Sequence, residues 1–322
     1  MGAIEYLKNF GIKQFIKKGI QHAIGLGKIQ EEVDSLYYFL NNYCDITKIP
    51  PTKDENLRLM QLALVELLKI FDELCKQNNL TYWLDSGQLI GAIRHKGFIP
   101  WDDDLDVVMP RDDYDRMFPI FKNILEKYGI IVNSGGIYDD LGYMQRLGFN
   151  YKTAETGVWL DVFPIDILKA KKELTSDDIE LNRAYKQYKR FYKKNEKKKS
   201  IEQLTKKKKE IFSKFSNLTE GNKNYYLLYP EFLNATCIFS EEDIFPLKTH
   251  KYEGFEFPIP NNPYEYLKKQ YGSDCMDFPR YGILHHNDPD GGNASTRAIR
   301  HNINMNDEIV YLQSVYEKIC GK

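Results

Sequence analysis

The sequence predicts an α/β protein, an α+β arrangement built on a mixed sheet. Three observations predict it. Residues Leu80 to Arg111 read as strand, tight turn, short helix, loop and second strand. An amphipathic helix over 54–78 leads directly into that run. Farther on, Val158 to Ile165 is an apolar, strand-like stretch interrupted by one acid, Asp161. Apolar runs of this length bounded by turn residues read as buried strands.

The run from Leu80 carries the chemistry. Leu80 to Leu84 is apolar and aromatic enough for a buried strand. Asp85-Ser86-Gly87 is turn chemistry, and Gly87 can take a positive φ or admit a ligand close to the backbone. Gln88 to His95 reads as a helix, and Gly97 and Pro100 break the next segment. Four carboxylates then crowd together: Asp102, Asp103, Asp104 and Asp106. Leu105 to Met109 reads as the second strand. Residues i and i+2 of a strand share a face. Asp104 and Asp106 therefore project side by side, joined by Asp102 if the strand starts early, and Asp103 faces away. Like charges that close raise one another's pKa unless a cation lies between them. One or two carboxylates plus substrate phosphates is the usual way to hold Mg²⁺, or Mn²⁺ in its place. A solvated acidic turn is the plain alternative. The adjoining strand, the Ser-Gly turn and the cations Arg94, His95 and Lys96 favour a metal site facing a phosphate-binding turn. A lone carboxylate is costly to bury, so Asp161 makes sense as a third acid facing the same metal; an edge position facing water is the alternative. Carboxylates, a Ser-Gly turn at a helix start and nearby cations together suit phosphoryl-type transfer.

The wording of residues 82–115, with GQLIGAIRHKGFIPWDDDLD at its centre, resembles the LicD family of phosphotransferases. That family is a branch of the nucleotidyltransferase superfamily and includes the fukutin-related proteins. The span from Gly87 to Asp104 is 17 positions, long for the superfamily at large but fitting the LicD arrangement. The stretch FPLKTHKYEGFEFPIPNNPYEYLKKQYG again resembles the family, so the likeness covers most of 57–280. The resemblance implies a nucleotidyltransferase-like core with Asp104, Asp106 and Asp161 as metal ligands. It implies transfer of a phospho-alcohol such as phosphocholine from a CDP-activated donor to a sugar hydroxyl. The acceptor would be a cell-surface glycan or its lipid-linked precursor, of teichoic acid, capsule or lipopolysaccharide type. Ser86 and the Gly87 amide would hold phosphate. Arg94, His95 and Lys96, with Arg146 and His285, are candidate contacts to the donor phosphates or nucleotide. Asp161 or Asp102 would deprotonate the attacking hydroxyl. Two other readings use the same residues: a nucleotidyltransferase that adds a nucleotide to a small molecule or protein, and a non-catalytic glycan-binding protein. The part of the donor found on the acceptor separates the first two. The intact turn and acids argue against the third.

The remaining segments carry mainly structural signals. Residues 1–28 alternate apolar positions with lysines and carry a net charge of +4. They suit a helix on an anionic membrane surface, or one packed on the domain with its lysines outward. Residues 29–43 look helical, and Ile49-Pro50-Pro51 reads as a linker. In 54–78, Leu57, Met60, Leu64, Leu67, Leu68, Phe71, Leu74 and Cys75 keep helical spacing, and Asn78-Asn79 is a left-handed stop. Arg111 to Tyr128 reads as a helix opened by Asp112 and Asp113. Strands are expected next at Ile130 to Val132 and Tyr143 to Phe149. Between Lys186 and Lys214 there are 13 basic and three acidic residues. This is read as two basic helices with a joint at 195–200. A solvated face is the plain reading and an anionic headgroup or glycan surface the functional one. Beyond 222, a strand at Thr236 to Phe239 and a hairpin turning at Glu253-Gly254 precede a helix from Pro263, stopped by Gly272. Asn306 to Cys320 looks helical.

Four parts result: a helical N-terminal segment at 1–56, the catalytic core at 57–170, a basic helical insertion at 171–221, and an α/β part at 222–322. The chain's 322 residues, 42% of them hydrophobic, suffice for a sizeable core, and a net charge of −1 gives no pull toward nucleic acid. Five scattered cysteines with no Cys-x-x-Cys pair read as reduced thiols. No apolar run reaches the ~18 residues that span a bilayer, and the N-terminal apolar run is too short for a signal peptide. The expectation is a cytoplasmic enzyme, peripheral at the inner face of the membrane.

Overall fold

A computed structural model describes residues 25–134, 145–149, 158–195, 199, 201–228, 237–279 and 304–321. Two compact units divide the chain: Met1–Ile49 with Asp277–Tyr281, and Pro50–Met276 with Gly282–Lys322. In the first unit, helix α1 (Leu26–Tyr43) starts after Gly25, whose φ of 78° is left-handed. Asn41 of α1 accepts the backbone N–H of Phe278 at 2.8 Å.

The second unit begins with α2 (Glu55–Gln77). Its N-cap is Asp54, whose side chain accepts from the backbone N–H groups of Asn56 and Leu57. Leu57, Leu64, Leu67, Leu68, Phe71 and Leu74 are buried at the expected helical spacing. Each stabilises the fold by about 1.5–3 kcal/mol relative to exposure. Asn79 takes a φ of 49° and ends the helix. The C-terminal helix, α10 (Met305–Ile319), packs along α2.

The central sheet has seven described strands, and the long β5 (Trp159–Ala170) is its spine. The first half of β5 pairs in parallel with β2 (Leu105–Pro110). On its other side it pairs antiparallel with β4 (Gln145–Phe149), which pairs with β3 (Ile130–Ser134). Its second half pairs with β6 (Lys223–Leu228), and β6 with β7 (Ile238–Ser240). The two-residue β1 (Trp83–Leu84) borders β2 antiparallel. Helix α3 (Ser86–His95) and the loop at 96–104 connect β1 to β2, and α4 (Arg111–Leu125) connects β2 to β3.

Two expected elements shift. The strand expected over Leu80 to Leu84 is only Trp83–Leu84. The N–H of Leu80 donates to Cys75 O at 2.9 Å, and that of Thr81 to Asp113 Oδ2 at 2.9 Å, so neither enters the ladder. The helix expected through Tyr128 ends at Leu125 and tightens into a 3₁₀ turn, Glu126–Tyr128, before left-handed Gly129.

The basic insertion is folded against the second half of the sheet. Helices α5 (Ile179–Asn195) and α6 (Ile201–Phe212) pack Tyr188, Tyr192, Leu204, Ile211 and Phe212 with Leu168, Ala170, Tyr225 and Leu227. Lys208, inside the four-lysine run, is buried and pairs with Asp166 of β5, which also accepts Arg111 Nε at 2.7 Å. Burial pushes the Asp166 carboxyl up. The two adjoining cations outweigh burial and hold it well below the usual carboxylate range. Lys206 and Lys209 are exposed.

After two short helical turns, α7 (Ser216–Thr219) and α8 (Glu241–Ile244), strands β8 (Lys248–Tyr252) and β9 (Phe255–Ile259) form a separate hairpin. Its turn residues Glu253 and Gly254 have φ of 50° and 85°. Two positive φ values define a type I′ turn, whose twist matches the flanking strands. The first strand runs directly into this turn, with Tyr252↔Phe255 setting the register. Helix α9 (Pro263–Tyr271) comes next and ends at Gly272, φ 100°.

Candidate active site

The acids meet because of strand register. Antiparallel pairing matches Leu84 with Val107, and the Asp85 N–H donates to Asp106 O at 3.3 Å. Parallel pairing matches Asp106 with Asp161, and antiparallel pairing matches Asp161 with Arg146. One transverse row thus runs Asp85, Asp106, Asp161, Arg146, with neighbouring strands about 4.8 Å apart. Asp85 is fully buried, Asp161 is buried, and Asp106 is half-buried.

This crowding has an electrostatic consequence. Burial pushes the Asp106 carboxyl well above its usual range, and Asp104, Asp161, Asp85 and Asp102 push it further. Hard carboxylate oxygens gathered this way fit Mg²⁺ or Mn²⁺, which would relieve that repulsion. Among the described residues, no three His, Cys, Asp or Glu side chains form a ready-made metal cage.

Gln88 organises the acidic loop. Its Nε2 donates to Asp104 O at 2.7 Å and to Asp102 Oδ2 at 3.4 Å, and its Oε1 accepts the Asp106 N–H at 2.8 Å. Gln61 of α2 holds the same loop, donating to Asp102 O at 2.9 Å. Glu253 fixes its start, accepting the Phe98 N–H at 3.0 Å and Arg58 Nη2 at 2.6 Å. Gly87 leaves room for Asp102: a Cβ there would lie 2.5 Å from Asp102 Oδ2, which would have to shift. Asp102 is therefore seated against the first turn of α3. Asp103 is buried, and Asp104 is exposed.

Ser86 opens α3 with a left-handed φ of 50°, a strained conformation for a residue with a side chain. Its hydroxyl donates to Asp85 Oδ2 at 3.0 Å. Asp85 also accepts Tyr266 Oη at 2.7 Å and Gln270 Nε2 at 3.2 Å.

Arg94, His95 and Lys96 lie at the other end of α3. Arg94 is eight residues from Ser86, about 12 Å along the axis at 1.5 Å per residue. Arg94 is buried, and its Nε donates to His95 Nε2 at 3.0 Å. Burial, and then the Arg94 charge, push the His95 pKa down to about 4. Lys96 is exposed and takes the left-handed C-cap position, φ 58°. Arg146 is placed by backbone register only, and His285 lies outside the described residues.

A family model described as "LicD/FKTN/FKRP, nucleotidyltransferase domain" matches residues 79–195, the segment holding Asp85, Asp106 and Asp161. The chain is 30% identical over 253 residues to the lipopolysaccharide cholinephosphotransferase LicD of Haemophilus influenzae, covering 70% of this chain and 94% of that protein. The chain belongs to the LicD family. Two uncharacterised Rickettsia proteins are also similar, from R. typhi (26% over 227 residues) and R. prowazekii (25% over 224). Each match covers 70% of this chain, against 49% and 58% of those proteins.

The segment matched to the LicD family contains the expected acids, yet several parts of the candidate site lie beyond the residues singled out from sequence. Asp85 reads as turn chemistry, and only the β1–β2 register puts it beside Asp106. Gln88 carries no signal other than its place after the Ser-Gly turn. Tyr266 and Gln270 are about 180 residues away in sequence, with no local pattern to connect them to Ser86.

Proposed function

We propose that this LicD-family chain transfers phosphocholine, or a close phospho-alcohol, from a CDP-activated donor to a sugar hydroxyl. The acceptor is a cell-surface glycan or its lipid-linked precursor. The observation that carries the reading is the row Asp85, Asp106, Asp161 beside the Ser86 turn, in a chain so fully aligned with a cholinephosphotransferase.

In this reading Asp106 and Asp161 hold a divalent cation, with Asp104 as a further ligand. The cation, when bound, neutralises charge on the donor phosphates. The first turn of α3 and Ser86 face the donor phosphate with the positive end of the helix. Asp102, seated against Gly87 and held by Gln88, or Asp161 takes the proton from the attacking sugar hydroxyl. The carboxylate crowd keeps a proton acceptor within reach of the acceptor hydroxyl, and the bond to the leaving CMP breaks as the new phosphodiester forms. Among the described residues no helix is long and apolar enough to cross a membrane. The net positive charges of 1–28 and of the insertion support an approach to lipid-linked acceptors at the inner membrane face. Unchanged anionic-liposome binding after deletion of 1–28 would remove that segment's part.

The test is incubation with a panel of CDP-alcohols, Mg²⁺ or Mn²⁺ and glycan acceptors, followed by mass spectrometry. Release of CMP with a phospho-alcohol mass gain on the glycan is expected. A nucleotide mass gain instead would establish a nucleotidyltransferase. A chain that binds glycan and turns over no donor would be a binding protein.

A further inference from the structure

We propose that helix α9 forms a wall of the active site, with Gln270 acting as the positioning residue for the Ser86 hydroxyl. The inference rests on the proposed transferase reading, in which Ser86 faces the donor phosphate. It concerns a helix that lies wholly outside the matched segment 79–195.

The geometry is convergent. Ser86 holds a strained φ of 50° at the first position of α3. Strain of this kind, costing about 1–3 kcal/mol, persists only where the surroundings over-determine it. The surroundings here are α9. Gln270 Nε2 donates to Ser86 Oγ at 3.3 Å and to Asp85 Oδ2 at 3.2 Å. Tyr266, four residues before Gln270 and so on the same helical face, donates to the other Asp85 oxygen at 2.7 Å.

Proton counting then fixes the roles. A serine hydroxyl has one proton and two lone pairs. Ser86 gives its proton to Asp85 at 3.0 Å, so Gln270 acts as a donor to a lone pair. Asp85 and Gln270 set the Oγ rotamer and the direction of its O–H. Tyr266 is anchored more deeply, stacked on Phe239 at 4.0 Å between ring centroids. It holds Asp85 in place, while Gln270 touches the serine itself.

The test is a double-mutant cycle with CDP-choline as donor. Gln270→Ala and Gln270→Glu are made singly and in a Ser86→Ala background. Each single variant is expected to lower kcat/KM about 10-fold, with the Tm shifted by less than about 3 °C. In the Ser86→Ala background the same substitutions are expected to cost less than about 2-fold, because residues acting through one hydroxyl are non-additive. Full additive losses, or a Ser86→Ala variant as active as wild type, would overturn the proposal. Calorimetric binding of CDP-choline repeats the cycle without chemistry. Coupling in binding with no transfer by the wild type would leave α9 in this role and remove the proposed transferase reading. Absence of CDP-choline binding by the wild type would remove both.

Discussion

Asp106 and Asp161 stand in register across the parallel pair β2–β5, the one parallel pairing among the described strands. Parallel neighbours in register point to the same face, so the two carboxylates are fixed side by side by backbone alone. The cost of this shows in the Asp106 carboxyl, whose pKa is raised first by burial and then by repulsion from Asp104, Asp161, Asp85 and Asp102.

That repulsion makes stability depend on pH and metal in a stated direction. The folded-state pKa of Asp106 lies above its unfolded value of 3.8. The stabilisation is therefore complete below about pH 4 and is lost as pH rises through the folded value. In chelator, the Tm contribution from this site is expected to fall as pH rises above about 4. Added Mg²⁺ should raise Tm more at about pH 7.5 than at about pH 5, since more of the carboxylate is ionised there. Asp106→Asn should remove most of that difference. Scanning calorimetry at the two pH values reads all three.

Gln88 is expected to be intolerant of an isosteric change. Gln88→Glu keeps the acceptor for the Asp106 N–H but replaces the donor to Asp104 O and Asp102 with a further carboxylate. Leaving buried groups unpaired costs about 1–3 kcal/mol, and the displaced acids should lower kcat by roughly 10- to 100-fold. Denaturant unfolding and steady-state kinetics measure the two effects.

His95 gives the opposite pH sign from Asp106. Its folded pKa of about 4 lies below the ordinary value of 6.5. The unfolded chain takes up a proton that the folded chain refuses, so stability falls as pH drops from 6.5 toward 4. Allowing for partial exposure, the loss is on the order of 1–2 kcal/mol. His95→Gln should flatten this part of the stability profile, which chemical denaturation at about pH 4.5 and about pH 7 can show.

The Asp166–Lys208–Arg111 cluster ties the insertion to the sheet. Asp166→Asn removes the carboxylate that Arg111 and Lys208 share and should cost about 3–5 kcal/mol. Turnover per folded molecule should stay within about 2-fold of wild type, because Asp166 is outside the acid row and distant sites act independently. Urea unfolding and active-site-normalised kinetics separate the two.

Much of this is legible in the sequence, and the parts that are not share a common cause. The long helix 55–77, the strands β2 and β5 and the hairpin turn at Glu253-Gly254 all carry local signals: apolar periodicity, an acid inside an apolar run, a positive-φ turn pair. Strand β6 is absent from the sequence expectations although Tyr225-Tyr226-Leu227-Leu228 is a buried apolar run; the basic residues before it mask the change of pattern. The likeness of 82–115 to the LicD family points to the region of the candidate site. It does not point to Asp85, Tyr266 or Gln270, whose roles arise from register and from a helix packed across the fold. Cross-chain contacts of this kind have no period to read.

The central claim is that the Asp106–Asp161 pair serves phospho-alcohol transfer. The most direct measurement is mass spectrometry of a glycan acceptor after incubation with CDP-choline and Mg²⁺, using wild type, Asp106→Asn and Asp161→Asn. The account predicts a phosphocholine mass gain and CMP release for wild type. Each variant should show a loss of roughly 10²- to 10³-fold, the scale of removing one charge-stabilising group, with unfolding still cooperative. Full transfer by both variants, or a nucleotide rather than a phosphocholine on the acceptor, would contradict it.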